Sequence, residues 1–139
     1  IGMPRRMSAG FDHHRTSLLV AIMEKRLGLN LQGEDIFINI AGGLKISEPA
    51  VDMGVAAAIA GSFRNRSVDP HTVMIGEVGL TGEVRSVMQL EARLTEAERL
   101  GFKKCIVPHS IKGDRLINKN SALRLVPVKT LSDAFDAVF

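Results

Sequence analysis

An acid stands in an unusual place at Asp52. It follows Pro49 at the opening of a stretch so rich in Gly54, Ala56, Ala57, Ala58, Ala60 and Gly61 that other backbone can approach from nearly every side. The stretch from Val51 to Ser62 is therefore expected to be a buried central helix. A carboxylate in its first turn could face the unpaired N–H groups at the positive end of the dipole, work as an acid, or remain from an older chemistry. Other residues that could do chemistry carry less. His13 and His14 are adjacent at a helix start and point different ways with no third ligand nearby in sequence, so capping or surface roles are expected rather than a metal. His71 and His109 sit beside prolines in loops and are expected to face solvent. Cys105, inside Lys103-Lys104-Cys105-Ile106-Val107, reads as a core thiol on a buried strand and not as a nucleophile. Gly76, Gly79 and Gly82 form a GxxGxxG string, yet a phosphate loop needs its glycines between strand and helix, with a Lys-Ser/Thr pair that is missing here. These glycines read as hairpin geometry.

The elements that must hold these residues follow from pattern. Ile1 to Met7 is an extended lead-in and a candidate edge strand. Asp12 can cap a helix from about His14 to Leu27, whose Leu18, Leu19, Ile22, Met23 and Leu27 recur at helical spacing, and Gly28 ends it. Asp35 to Ala41 alternates and is β-branched, which predicts a strand broken by Gly42-Gly43. After the Ala-rich helix, 63–70 reads as a loop and Thr72 to Val78 as a strand. Gly79-Leu80-Thr81-Gly82 turns it into a hairpin with Glu83 to Val87. Gln89 to Leu100 is an amphipathic helix stopped by Gly101. Strands are expected at Lys104 to Val107 and Leu123 to Val128, and Thr130 or Ser132 starts a terminal helix. The order predicts one α/β (α+β) domain over residues 1–139, with a mixed sheet, a hairpin and packed helices; strand and helix do not alternate cleanly enough for a doubly wound nucleotide-binding fold.

Composition sets the class. A chain of 139 residues with 45% hydrophobic content is long enough for one real core, and without Trp or Tyr that core must come from aliphatic residues and Met. A single cysteine excludes an internal disulfide and a Cys-based zinc cluster. No apolar run reaches bilayer length and no leader pattern opens the chain, so a cytoplasmic location and no membrane partner are expected. Beginning on Ile1, the chain is expected to be a piece of a longer protein. Charge is lopsided: residues 103–129 carry seven Lys/Arg against Asp114 alone, although the net charge of the chain is +3. Solvated lysines are the ordinary reading, and a face for a polyanion is the sharper one.

Taken together, Pro4-Arg5-Arg6, Gly10-Phe11-Asp12-His13, Arg15 with Ser17-Leu18-Leu19, Glu24-Lys25-Arg26, Ala41-Gly42-Gly43, Glu48-Pro49-Ala50-Val51-Asp52 and Gly76 to Arg85 are similar to a known pattern. They resemble the proteolytic domain of Lon proteases and, more closely, the Lon-like C-terminal domain of the bacterial RadA (Sms) DNA repair family. The resemblance implies a Lon proteolytic-domain-like fold. Lon enzymes pair a Ser nucleophile with a Lys whose burial strips its charge so that it can accept the Ser proton. Their P-K-D-G-P-S-A-G motif lies along 47–54 and puts Asp52 in the nucleophile's slot, while their P-I-G-G-x-K motif, counted from Gly82, puts Glu91 in the slot of the Lys. Neither acid can do the original work. Lys45 with Ser47, or Asp52 with Glu91 as a carboxylate pair, would be unorthodox substitutes. If the register holds, Asp52 and Glu91 should converge across a shallow cleft with cationic partners or a shared proton.

The same resemblance implies a parent with a zinc finger and a RecA-like ATPase, using ATP, Mg and Zn outside this fragment, and assembling as hexameric rings for DNA branch migration. No cofactor is expected in the fragment itself. Its expected role is a non-catalytic scaffold for the homo-oligomer and a non-specific surface for the DNA phosphate backbone. Candidate contacts are Arg5, Arg6, Lys103, Lys104, Lys112, Arg115 and Lys119. The alternative is an active or remnant Lon-type peptidase.

Overall fold

The computed structural model of the chain describes residues 2–109 and 121–139. Among the described residues seven strands and four α-helices follow one another: β1 (Arg6–Ala9), α1 (His13–Leu27), β2 (Ile36–Asn39), α2 (Asp52–Arg64), β3 (Thr72–Met74), β4 (Glu77–Val78), β5 (Val84–Arg85), α3 (Leu90–Arg99), β6 (Lys104–Pro108), β7 (Arg124–Val128) and α4 (Leu131–Val138). The chain is thus mixed α/β, as its patterning predicts. The single mixed sheet is not observed. Strands fall into three small sheets: parallel β1–β2, parallel β3–β6–β7 and antiparallel β4–β5.

Local signals set most boundaries. Asp12 caps α1 by accepting from the Arg15 N–H at 3.2 Å, and Gly28 ends the helix in the left-handed region at φ 68°. Thr130 caps α4, accepting from the Asp133 N–H at 3.1 Å. Pro49 opens a 3-10 turn, Pro49–Val51, before α2 proper. The helix then runs past Phe63, where a loop is expected from sequence, and ends at Asn65 with φ 54°.

Long-range bonds overrule the expected strand from Thr72 to Val78. It breaks at Ile75-Gly76 because the Ile75 N–H still bonds Ile106 in β6, whereas Gly76 turns to the entrance of α2. There the Gly76 N–H donates to the Ala50 carbonyl at 3.0 Å and the Gly76 carbonyl accepts from the Met53 N–H at 3.2 Å. β4 and β5 then form the hairpin, Glu77 opposite Arg85 and Val78 opposite Val84.

The three-stranded sheet separates two apolar layers. Ile106 and Val128 join the larger core with α1, α2 and α4, while Cys105, Val107 and Leu123 pack with Leu94 and Ala97 of α3. A strand buried on both faces reads as a continuous apolar run, which is why Cys105-Ile106-Val107 shows no alternation. The α1 side chains Leu19 and Met23 are fully enclosed, each worth about 1.5–3 kcal/mol of burial. No described helix is long and apolar enough to cross a membrane.

Candidate functional site

Two of the larger core's elements, α1 and α2, meet at an ion pair whose acid is buried and whose guanidinium is partly exposed. Asp52, the first residue of α2, is fully buried. Its carboxylate does not cap its own helix: Val51 is the N-cap, and it makes no side-chain cap bond. Instead Asp52 accepts from Arg15 through two nitrogens, Nε to Oδ1 at 2.9 Å and Nη2 to Oδ2, and from the Val78 N–H of the hairpin at 3.1 Å. Arg15 also donates to the Val78 carbonyl at 3.2 Å. One guanidinium and one carboxylate therefore tie α1, α2 and β4 together. A planar fork matches a carboxylate in this two-bond geometry, which a lysine could not reproduce. The hydrogen bond to Asp52 raises the Arg15 pKa above its ordinary value against the opposing effect of burial.

Arg15 is placed by the cap beneath it. Asp12 fixes the first turn of α1 through the Arg15 N–H, and its carbonyl takes both the N–H and the hydroxyl of Thr16. Sequence reading missed this partner of Asp52 because 37 positions separate them. The available signal was Asp52 itself, since a charge in a small-residue buried helix demands a cation.

Glu91 lies elsewhere. It is exposed in the first turn of α3, and among the described residues no hydrogen bond or ion pair joins it to Asp52. The cation of that helix which reaches toward the start of α2 is Arg93, whose Nη2 pairs with Glu48 and whose Nε donates to the Met88 carbonyl at 2.9 Å. Both carboxylate oxygens of Asp52 accept hydrogen bonds, Oδ1 from Arg15 and Oδ2 from Arg15 and Val78.

The basic candidates divide. Arg5 pairs with Asp35 at 3.0 Å and lies 5.4 Å over the Phe37 ring, and the hydrogen bonds from Arg5 hold the Asp35 carboxyl below its usual range. Arg6 donates to the carbonyls of Glu34 and Leu31, pinning the loop before β2. Lys104 donates to the Ala137 carbonyl at 2.7 Å and so anchors α4. These three have structural work. Lys103 is exposed, and beside it, through the Arg124 N–H to Lys103 carbonyl bond of 2.9 Å, stands the exposed Arg124. Arg124 belongs to the basic run but not to the contacts named from sequence. Lys112, Arg115 and Lys119 lie outside the described residues.

The remaining candidates are bland. Cys105 is enclosed, and burial pushes its thiol up to about 12. His13 and His14 are exposed with rings 6.1 Å apart, and His71 faces Asp69 at 3.4 Å. No group of three or more His, Cys, Asp or Glu able to hold a metal occurs among the described residues.

Comparison with known proteins adds to this geometry. The family profile described as subunit ChlI of Mg-chelatase matches residues 7–111. The chain is 49% identical over 135 residues to the DNA repair protein RadA of Halalkalibacterium halodurans, covering 97% of this chain and 29% of that protein. It is 53% identical over 107 residues to RadA of Bacillus subtilis, covering 77% and 23%, and 48% identical over 125 residues to RadA of a Synechocystis strain, covering 90% and 24%. The chain thus spans less than a third of the length of these relatives.

Proposed function

We propose, since the chain belongs to the ChlI family and within it to the RadA DNA repair proteins, that it is a non-catalytic domain of such a protein. In this reading it is a Lon-like shell at the C-terminal end of the parent, serving ring assembly and offering a surface to DNA. Fold and activity separate readily, and a peptidase frame can persist as architecture. The observation that carries the reading is the Arg15–Asp52–Val78 cluster. At the position which the Lon resemblance assigns to the nucleophile stands a carboxylate with no exposed surface, held by a guanidinium and a backbone amide.

The work of the parent is an ATP-driven motor for branch migration, assembled as a hexamer. In this reading ATP, Mg and Zn are bound by its other parts. A ring of identical subunits needs two different complementary patches on each. Acidic α3 and the basic run from Lys103 onward supply the candidates. Contact with DNA is through phosphate: Lys103 with Arg124 forms the described part of the surface, and Lys112, Arg115 and Lys119 are added to the candidates on their charge alone. The test is duplex binding by the intact protein across a salt series. Lys103→Glu with Arg124→Glu is expected to weaken binding equally on all sequences and to lower the slope of log affinity against log salt by about 2. An unchanged slope would remove this surface from the proposal.

A further inference from the structure

The strands β3, β6 and β7 run parallel, so all of them begin at one end of their sheet, and cations gather there. Thr72, Lys104 and Arg124 stand opposite one another in register across that end. Register partners point to the same face, on neighbours about 4.8 Å apart. Two residues further along each strand, Met74, Ile106 and Val126 belong to the larger core, so Thr72, Lys104 and Arg124 point toward the layer of α2 and α4. The helix α2 finishes at this end too. Its C-cap Asn65 takes φ 54°, which brings the Arg66 N–H back to the Gly61 carbonyl at 2.9 Å, and Arg66 and Thr72 line one hollow. Arg64, the last residue of α2, lies 5.9 Å from the Phe135 and Phe139 rings.

Helix chemistry accounts for part of this charge. Arg64 sits in the last turn of α2, where the dipole favours a cation, and Lys104 is engaged by the Ala137 carbonyl of α4. Arg66 and Arg124 are not so explained. Both are exposed, lie outside the helices and make no ion pair among the described residues. The neighbouring acids do not cancel them. Asp69 faces His71 at 3.4 Å, Glu96 pairs with Arg99, Glu98 of α3 accepts from the Ala122 N–H, and Asp136 is exposed on α4. Across the groove beside β3, Asp35 is held by Arg5, and the Glu34 carbonyl accepts from Arg6. What remains is a cationic row with a length. From β7 to β3 it spans about 10 Å, close to the rise of about three phosphates along one DNA strand.

We propose that the DNA surface extends from Arg124 across the start of the sheet to Arg66 and Arg64, each of these arginines taking a backbone phosphate. The inference rests on the DNA reading above and gives that surface a direction, toward the end of α2. Neither Arg64 nor Arg66 belongs to the basic run or to the contacts named from sequence. Contact through phosphate carries no sequence information, so binding along this row is indifferent to base sequence.

The test is duplex binding by the intact protein, read as the slope of log affinity against log salt. Arg64→Gln with Arg66→Gln should make the slope shallower by about 2, and Arg66→Gln alone, which leaves Arg64 on its rings, by about 1. Lys25→Gln with Arg26→Gln is the comparison. These two are exposed in the last turn of α1, and Arg26 lies beside Gly82, whose carbonyl accepts from the Leu131 N–H at the start of α4. A helix length of about 12 Å separates that point from the end of α4 bonded by Lys104, and the slope should not move. An unchanged slope for both arginine variants, with Lys103→Glu and Arg124→Glu still effective, would overturn the direction and leave the DNA surface itself standing. An equal change in the Lys25 and Arg26 comparison would reduce the effect to net charge and overturn it as well. If no variant moves the slope, the DNA reading falls and takes this inference with it.

Discussion

Asp52 and Arg15 are unequal partners, because Asp52 has no solvent access while 29% of the Arg15 side chain remains exposed. Losing the cation strands a buried carboxylate, whereas losing the acid leaves a guanidinium that can turn toward water. Arg15→Met is therefore expected to cost about 3–5 kcal/mol and Asp52→Asn less. In a denaturation cycle the two changes together should cost clearly less than their sum. Near-additive losses would mean that the carboxylate is not structural. Cys105 gives a second check. Its thiol pKa, raised by burial from 9.0 to about 12, keeps its contribution intact below pH 9.0. Stability then falls as pH rises toward about 12, because the unfolded chain ionises first. Iodoacetamide at mildly alkaline pH should leave native Cys105 unmodified and label it only on unfolding; rapid native labelling would place it outside the core. Asp35 and Glu83 have the opposite sign. Hydrogen bonds from Arg5 and Thr81 lower their pKa values, so their contributions are present above the ordinary carboxylate range and vanish as pH falls through the lowered values.

At the scale of the element, the junction between β3 and β4 decides how the hairpin meets the ion pair. Gly76 fits there because a Cβ would come within 2.8 Å of Val84 Cγ1 and 3.2 Å of Met53 Cε. Gly76→Ala is expected to destabilise by about 1–3 kcal/mol through overpacking, measured as a lower denaturant midpoint at unchanged slope. A neutral effect would show that the hairpin is free to shift. The same junction shows what sequence could and could not tell. Asp12, Gly28 and Thr130 end or begin their helices through bonds within a few residues, so those boundaries are legible from local chemistry. The break at Gly76 is made by Ala50 and Met53, far away in the chain, and nothing in the run from Thr72 to Val78 announces it. For the site, the need of Asp52 for a cation was legible, but the identity of that cation was not. In the same way Arg5, Arg6 and Lys104 looked free in sequence until folding gave each an acceptor.

Taken whole, the molecule uses the one fully buried carboxylate among the described residues to join two helices and a hairpin, and it leaves Lys103 and Arg124 exposed together at the starts of β6 and β7. An architectural role makes a demand on the parent that no single side chain can test. The most direct measurement is the solution mass of the intact protein, with and without duplex DNA, against a form lacking residues 1–139. The account expects the intact protein to reach ring mass and to gain the mass of bound duplex, and the shortened form to fall to smaller species that take up little DNA. A shortened form that keeps both the ring and the DNA would contradict it.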